Sequence, residues 1–255
     1  MSESQAPLSR VALLCLTVGR MLLEWGANAR TVRHAVDSTA RGLGCDTVET
    51  YCQHAAVMVM LRRGEQSCMQ MGKVGEHGVN LRRAEAVLRV VDDVSTQALD
   101  CEGALEQLKS VIARTGAYPV WVVCLSTGLA CAAFGKLLGA DALAIVPVVI
   151  GAATGQFIRH EMLGRKMNLF LTITVVSFVS SLIAALGGRL LHESNIEITA
   201  VASILLLVPG VAILNAQVDA LDGRPNLAAA RVLRIIYILM FMTLGFIVSQ
   251  QIARF

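Results

Sequence analysis

The sequence predicts an integral membrane α-helical protein, with a small cytosolic α+β domain at the front and about five transmembrane helices behind it. Three observations carry this expectation. Of 255 residues, 55% are hydrophobic and 16% are charged, where a soluble domain carries about 25% charged residues. The mean hydropathy is +0.61. The apolar residues are also unevenly placed: from Tyr118 onward they gather in long runs, while residues 1–115 read as an ordinary soluble domain.

Charge follows the same division. Residues 1–115 hold 13 Lys/Arg and 13 Asp/Glu, and residues 116–255 hold 9 and 6, so the whole +3 excess falls in the apolar part. A nucleic-acid binder would carry a basic patch on a soluble face, so no nucleic-acid partner is expected. Positive charge on membrane loops accounts for the excess. Leu8–Leu23 contains Arg10 and Arg20 and lacks the clean apolar core of a secretory signal. The seven cysteines form no CxxC pair, and no histidine pair has metal-ligand spacing, so neither a metal nor a cofactor is expected. Five cysteines lie in the front domain, which fits a reducing cytosol.

In the front domain, apolar residues from Leu8 to Leu23 recur at three- and four-residue steps, which predicts a helix with Ser9 as cap and Gly26 as stop. A second helix follows Asn28 and stops at Gly44. The period then changes. Thr47–Cys52, Ala55–Leu61 and Gln66–Met71 read as strands, with a hairpin turn at Arg63–Glu65. Helices over Asn80–Ala98 and Glu102–Thr115 complete the domain. His34, His54 and His77 are its only histidines, and no spacing selects a catalytic pair from them. The Gly72–Gly78 loop fits no phosphate-binding pattern and reads as a connection.

Five apolar segments follow, at 119–138, 142–158, 169–191, 198–214 and 232–253. Each is near the ~20 residues needed to cross a bilayer. With the front domain in the cytosol, the loops Arg159–Met167 and Ala216–Arg231 also lie inside. They carry Arg159, Arg165, Lys166, Arg224 and Arg231, a positive-inside bias that puts the C-terminus on the opposite side.

Some residues break the apolar pattern. Gly151 and Gly155 make a GxxxG, which permits close helix contact. Pro209-Gly210 interrupts the fourth span. A proline there removes a backbone bond, and broken spans mark substrate sites in transporters; a simple kink is the alternative. Asn215 and Asp219 follow. Gln156, Asn168, Thr172, Thr174, Ser177, Ser180 and Ser181 offer either a polar route or hydrogen bonds between helices. Arg159, at the inner end of the second span, either meets an anion or anchors the topology. The expected substrate pathway is therefore Arg159, Pro209, Gly210, Asn215 and Asp219, with no catalytic residues and no enzymatic activity.

On these residues the chain resembles the threonine/serine exporter family, and within it the larger subunit of the split two-protein form associated with succinate or other dicarboxylate export. The matching pieces are Leu22-Leu23-Glu24-Trp25-Gly26-Ala27, the helix stop Leu43-Gly44, Gly78-Val79-Asn80-Leu81 and the lead-in Tyr118-Pro119-Val120-Trp121. The strongest is Leu205-Leu206-Leu207-Val208-Pro209-Gly210 followed by Asn215, Asp219 and Gly223. The resemblance implies a second, small multi-pass membrane subunit. Because the chain ends at Phe255, that half is expected on a separate protein. It also implies a bacterial inner-membrane location and a small carboxylate or amino-acid substrate. The family often has Glu after Gly-Ala, where this chain has Asn28, a good helix cap. Three readings compete with the dicarboxylate exporter subunit. One is a threonine/serine exporter subunit. Another is a membrane-tethered hydrolase, for which Ser67, Cys68, His54 and His77 are the available groups. The last is a solute-sensing membrane protein.

Overall fold

The structure, a computed structural model, describes residues 6–75, 78–116 and 118–254. The chain divides into two compact units. One gathers residues 1–116 and 210–232, and the other gathers residues 117–209 and 233–255.

The first unit begins with α1 (Leu8–Glu24) and α2 (Ala29–Gly42). Pro7 occupies the position before α1 and Ser9 lies inside its first turn, so Ser9 makes no cap. Gly26, at φ +93°, ends α1 in a left-handed conformation that glycine adopts without strain. Three antiparallel strands follow in the order β1 (Thr47–Cys52), β2 (Ala56–Arg63) and β3 (Gln66–Lys73). Arg63 pairs with Gln66, so Gly64 and Glu65 alone make the turn, with Gly64 at φ +56°. Val57, Val59 and Leu61 point into the core, and Tyr51, Met69 and Met71 lie on the outer face. This is the two-residue alternation of a half-buried sheet. α1 crosses the inner face closely; a Cβ at Gly19 would lie 3.3 Å from Val57 Cγ1. α3 (Leu81–Ser95) and α4 (Cys101–Arg114) close the core, capped by Asn80 on the Arg83 amide (3.1 Å) and Asp100 on the Gly103 amide (3.0 Å). Burial pushes the thiols of Cys15 and Cys101 up, the latter to about 11. All seven cysteines are free.

The second unit contains α5 (Val120–Leu137), α6 (Ile145–Gly164) entered through a 3₁₀ turn at Ala142–Ala144, α7 (Leu169–Leu190) and α8 (Ile196–Ile204). α9 (Gly210–Leu221) belongs to the first unit. α10 (Pro225–Arg254) contributes its start, up to Val232, to the first unit and the rest to the second. Among the described residues, four helices are long and apolar enough to cross a membrane. They become five if Ile196–Leu207 and Gly210–Leu221 are taken as one broken span. The second unit packs small residues inward: Ala132, Ala152, Ala184, Ala200 and Ser181 are buried, while Leu125, Phe134, Ile150 and Ile252 face out. Lipid tails are as apolar as leucine, so helices in a bilayer gain by close contact of small residues rather than by hiding large ones.

Three expected boundaries change. No breaker separates Ile158 from Gly164, so α6 continues, and Arg159 lies on the helix rather than in a loop; Glu161 and Arg165 pair one turn apart at 3.2 Å. The expected loop Ala216–Arg231 shrinks to Asp222–Arg224. α9 runs on to Leu221, and Pro225, well suited to the first helical position, opens α10. The expected fourth span is broken in two at Val208–Pro209.

Candidate functional site

The break follows from proline chemistry. Leu205–Leu207 tightens into a 3₁₀ turn, and Val208 is extended (φ −64°, ψ 122°). A following proline crowds the helical conformation of the residue before it and has no N–H to continue the ladder. The helix resumes at Gly210 as α9, where Asn215 and Asp219 stand one turn apart on a shared face. Asn215 is 8% exposed and Asp219 fully buried, whereas Leu214 and Leu221 point outward.

That buried face meets the turn between α1 and α2. A helix end leaves carbonyls without partners and a helix start leaves amides without partners, and the four residues Trp25–Asn28 hold both kinds together. Asn28 Oδ1 accepts the Thr31 amide at 2.8 Å. Asp219 Oδ1 accepts the Ala29 amide at 3.0 Å, so a residue 190 positions away completes the cap of α2. A negative charge at a helix N-terminus is favoured by the helix dipole. Asn215 Nδ2 donates to the Gly26 carbonyl at 2.8 Å, and Arg231 Nη2 donates to the Ala27 carbonyl at 3.3 Å.

Arg231 Nε lies 3.0 Å from Asp219 Oδ2, with the two side chains 9% and 0% exposed. Neither atom forms an aligned hydrogen bond, so the contact is an ion pair by distance. Burying two charges is costly, and the pair persists because each partner also bonds the α1–α2 turn. Beside it, Arg30 grips Asp222 with two nitrogens, Nε to Oδ2 at 2.9 Å and Nη2 to Oδ1. This hydrogen bond holds the Asp222 carboxyl below the usual carboxylate range. Gly223, at φ +71°, turns the chain, and the Arg224 amide donates to the Asp219 carbonyl at 2.9 Å.

Of the residues expected on a substrate pathway, Asn215 and Asp219 come together in this cluster, and Gly210 opens the helix that carries them. Arg159 and Pro209 belong to the other unit, Arg159 half-buried on α6. Arg231 reads in the sequence as a loop charge; here it is buried and neutralised by Asp219. Neither it nor the pair Arg30–Asp222 is marked by any local motif. The i, i+4 spacing of Asn215 and Asp219 in an apolar stretch is the one signal that points here.

The other polar residues serve packing. Ser177 Oγ donates to the Met242 carbonyl (2.7 Å), Ser181 and Ser249 share a hydrogen bond (2.5 Å), and Asn168 caps α7 through the Phe170 amide (2.8 Å). Gly151 and Gly155 both bring α6 against Ser180 of α7. Ser67 and Cys68 sit on β3 and His54 in the β1–β2 turn, and His77 lies outside the described residues. No group of three His, Cys, Asp or Glu suited to a metal occurs among the described residues.

The ThrE family model, described as "Putative threonine/serine exporter", matches residues 13–253. The chain belongs to the threonine/serine exporter family. It is 29% identical over 231 residues to the "Probable succinate transporter subunit YjjP" of Escherichia coli (strain K12), covering 90% of this chain and 88% of that protein. The protein of the same name from Klebsiella aerogenes is 27% identical over 232 residues, covering 91% and 89%. No solved structure matches. In this exporter-family chain, the turn at Gly26-Ala27 and the pair Asn215 and Asp219, all of which carry the resemblance, meet in one cluster. Asn28, the residue after Gly26-Ala27, caps α2.

Proposed function

We propose that this chain is one subunit of a two-component inner-membrane secondary exporter of small carboxylates, with succinate-type dicarboxylates first among them. The names of its relatives, matched over nearly their full length, support both the substrate class and the presence of a further subunit. On this reading residues 1–115 stand in the cytoplasm, the spans follow in residues 116–255, and the C-terminus lies on the opposite side.

The observation that carries the reading is a broken apolar helix followed at once by a buried polar anchor. Irregular backbone within a membrane persists only where it packs on protein or lines a cavity, and broken helices supply substrate sites in transporters. Pro209, Gly210 and Arg159 are proposed to lie on the carboxylate route. Asn215 and Asp219, whose side chains are engaged with the α1–α2 turn, are proposed to position the segment that follows the break.

The test is export of labelled succinate from cells expressing this chain with and without a small multi-pass partner subunit. Export with both proteins and none with either alone is expected. Export by this chain alone would overturn the two-component arrangement. Export of labelled threonine instead of succinate would select the alternative that the family description favours, a threonine/serine exporter subunit.

A further inference from the structure

We propose that Arg30, Arg33 and Arg224 form a recruitment site for a small dicarboxylate on the first unit, with Asp222 as its built-in competitor. This rests on the carboxylate-exporter reading and extends it to a named site.

Arg30 and Arg33 lie three residues apart in α2 and so share a face of it. Asp222 and Arg224 come from the turn between α9 and α10, and that turn is held beside α2 by the Asp219–Ala29 and Arg224–Asp219 hydrogen bonds. The Arg30 guanidinium holds Asp222 by two nitrogens on two oxygens. This is the geometry by which arginine recognises any carboxylate, including that of a ligand. The Arg30 side chain is 67% exposed and that of Asp222 12%. The outer side of the Arg30 guanidinium is therefore open to a free carboxylate, which would compete with Asp222 for the same fork of donors.

The charge balance supports the same reading. Asp219 is engaged by Arg231 and the Ala29 amide, and Asp37 pairs with Arg41 at 2.9 Å. Arg30 thus contacts the Asp222 carboxylate, Arg33 and Arg224 act on it through space, and Arg224 also bonds the Cys52 thiol; the two positive charges left over match the two negative charges of a dicarboxylate. All three act on Asp222: Arg30 first, then Arg224 and Arg33, hold its carboxyl low. One carboxylate of the ligand would take the place of Asp222 on Arg30, and the other would meet Arg33 and Arg224. The local positive field would also raise the anion concentration at the site.

The experiment is calorimetric titration of the purified full-length chain, in detergent free of anionic lipid, with succinate, butyrate and inorganic phosphate. Succinate is expected to bind tighter than the other two. Arg33→Gln and Arg224→Gln are each expected to weaken succinate about tenfold, as loss of a charged hydrogen bond does. Asp222→Asn is expected to tighten it. Arg89→Gln, on an exposed pair with Glu85, is the control and leaves affinity unchanged. Equal binding of phosphate would identify an unselective anion patch, such as one for lipid headgroups, and overturn the proposal. So would unchanged affinity in Arg33→Gln and Arg224→Gln, or no succinate binding at all. Melting curves of each variant separate lost binding from lost folding. Succinate export by wild-type cells together with unchanged affinities rejects the site alone; absence of export rejects the exporter reading, whatever the titration gives.

Discussion

Asp219 is where a single side chain matters most. It completes the cap of α2, balances Arg231 and shares a face with Asn215, all at zero exposure. Replacing it with alanine leaves a guanidinium buried without a counter-charge. Removing one member of a buried pair costs about 3–5 kcal/mol, because the charge left behind is neither hydrated nor paired. Asp219→Ala is therefore expected to lower the melting temperature of the full chain markedly. The double variant Asp219→Ala/Arg231→Ala is expected to melt above the single one, since no orphan charge remains. Equal melting of Asp219→Ala and wild type would show that the pair is not formed. The sequence points to Asp219 as a polar residue in an apolar context. It gives no sign that its partners are an arginine in the next helix and a backbone amide in α2.

At the scale of elements, close helix contact rests on glycine. A Cβ placed on Gly151 would stand 2.6 Å from the Ser180 carbonyl oxygen of α7, and one on Gly128 would stand 2.7 Å from the Val149 carbonyl of α6. Backbone oxygens cannot rotate away as a side chain can, so the helices must part. Gly151→Val is expected to destabilise the second unit by about 1–3 kcal/mol, the usual penalty of overpacking, read as a lower unfolding temperature in detergent. Gly164→Ala, which adds a methyl into open space, is the matched control and is expected to melt with wild type. Unchanged melting of Gly151→Val would mean that α6 and α7 do not touch there. The GxxxG spacing is legible in the sequence, but which helix it meets is not. The serines show the same division: their presence in α7 is plain, whereas their bonds to Met242 and Ser249 of α10 depend on which helix lies beside α7.

For the whole molecule, the count of spans sets the topology. Four uninterrupted apolar helices plus one broken segment make an odd number if the broken segment crosses, and the two termini then fall on opposite sides. A reporter active only in the cytoplasm, fused after Phe255, is expected to stay silent, while the same reporter fused ahead of Met1 is active. Activity at both ends would make the broken segment re-entrant rather than spanning. The positive-inside bias favours the first outcome, although Arg231, counted among the inner charges in the sequence, is neutralised by Asp219 and contributes little to it.

What the sequence determines by itself is local. The two-residue alternation of Val57, Val59 and Leu61, the helical spacing of Leu8–Leu23, the cap Asn28 and the long apolar runs are all short-range patterns. They act before any tertiary contact forms, so they can be read one segment at a time. The break at Pro209 is legible for the same reason, since proline imposes it on its immediate neighbours. Only the tertiary structure decides that the piece after the break, Gly210–Val232, groups with the N-terminal residues, and that Asp219 caps a helix 190 positions away. Those choices depend on which unsatisfied amides and carbonyls meet when distant segments close together. No local pattern of residue types specifies that meeting.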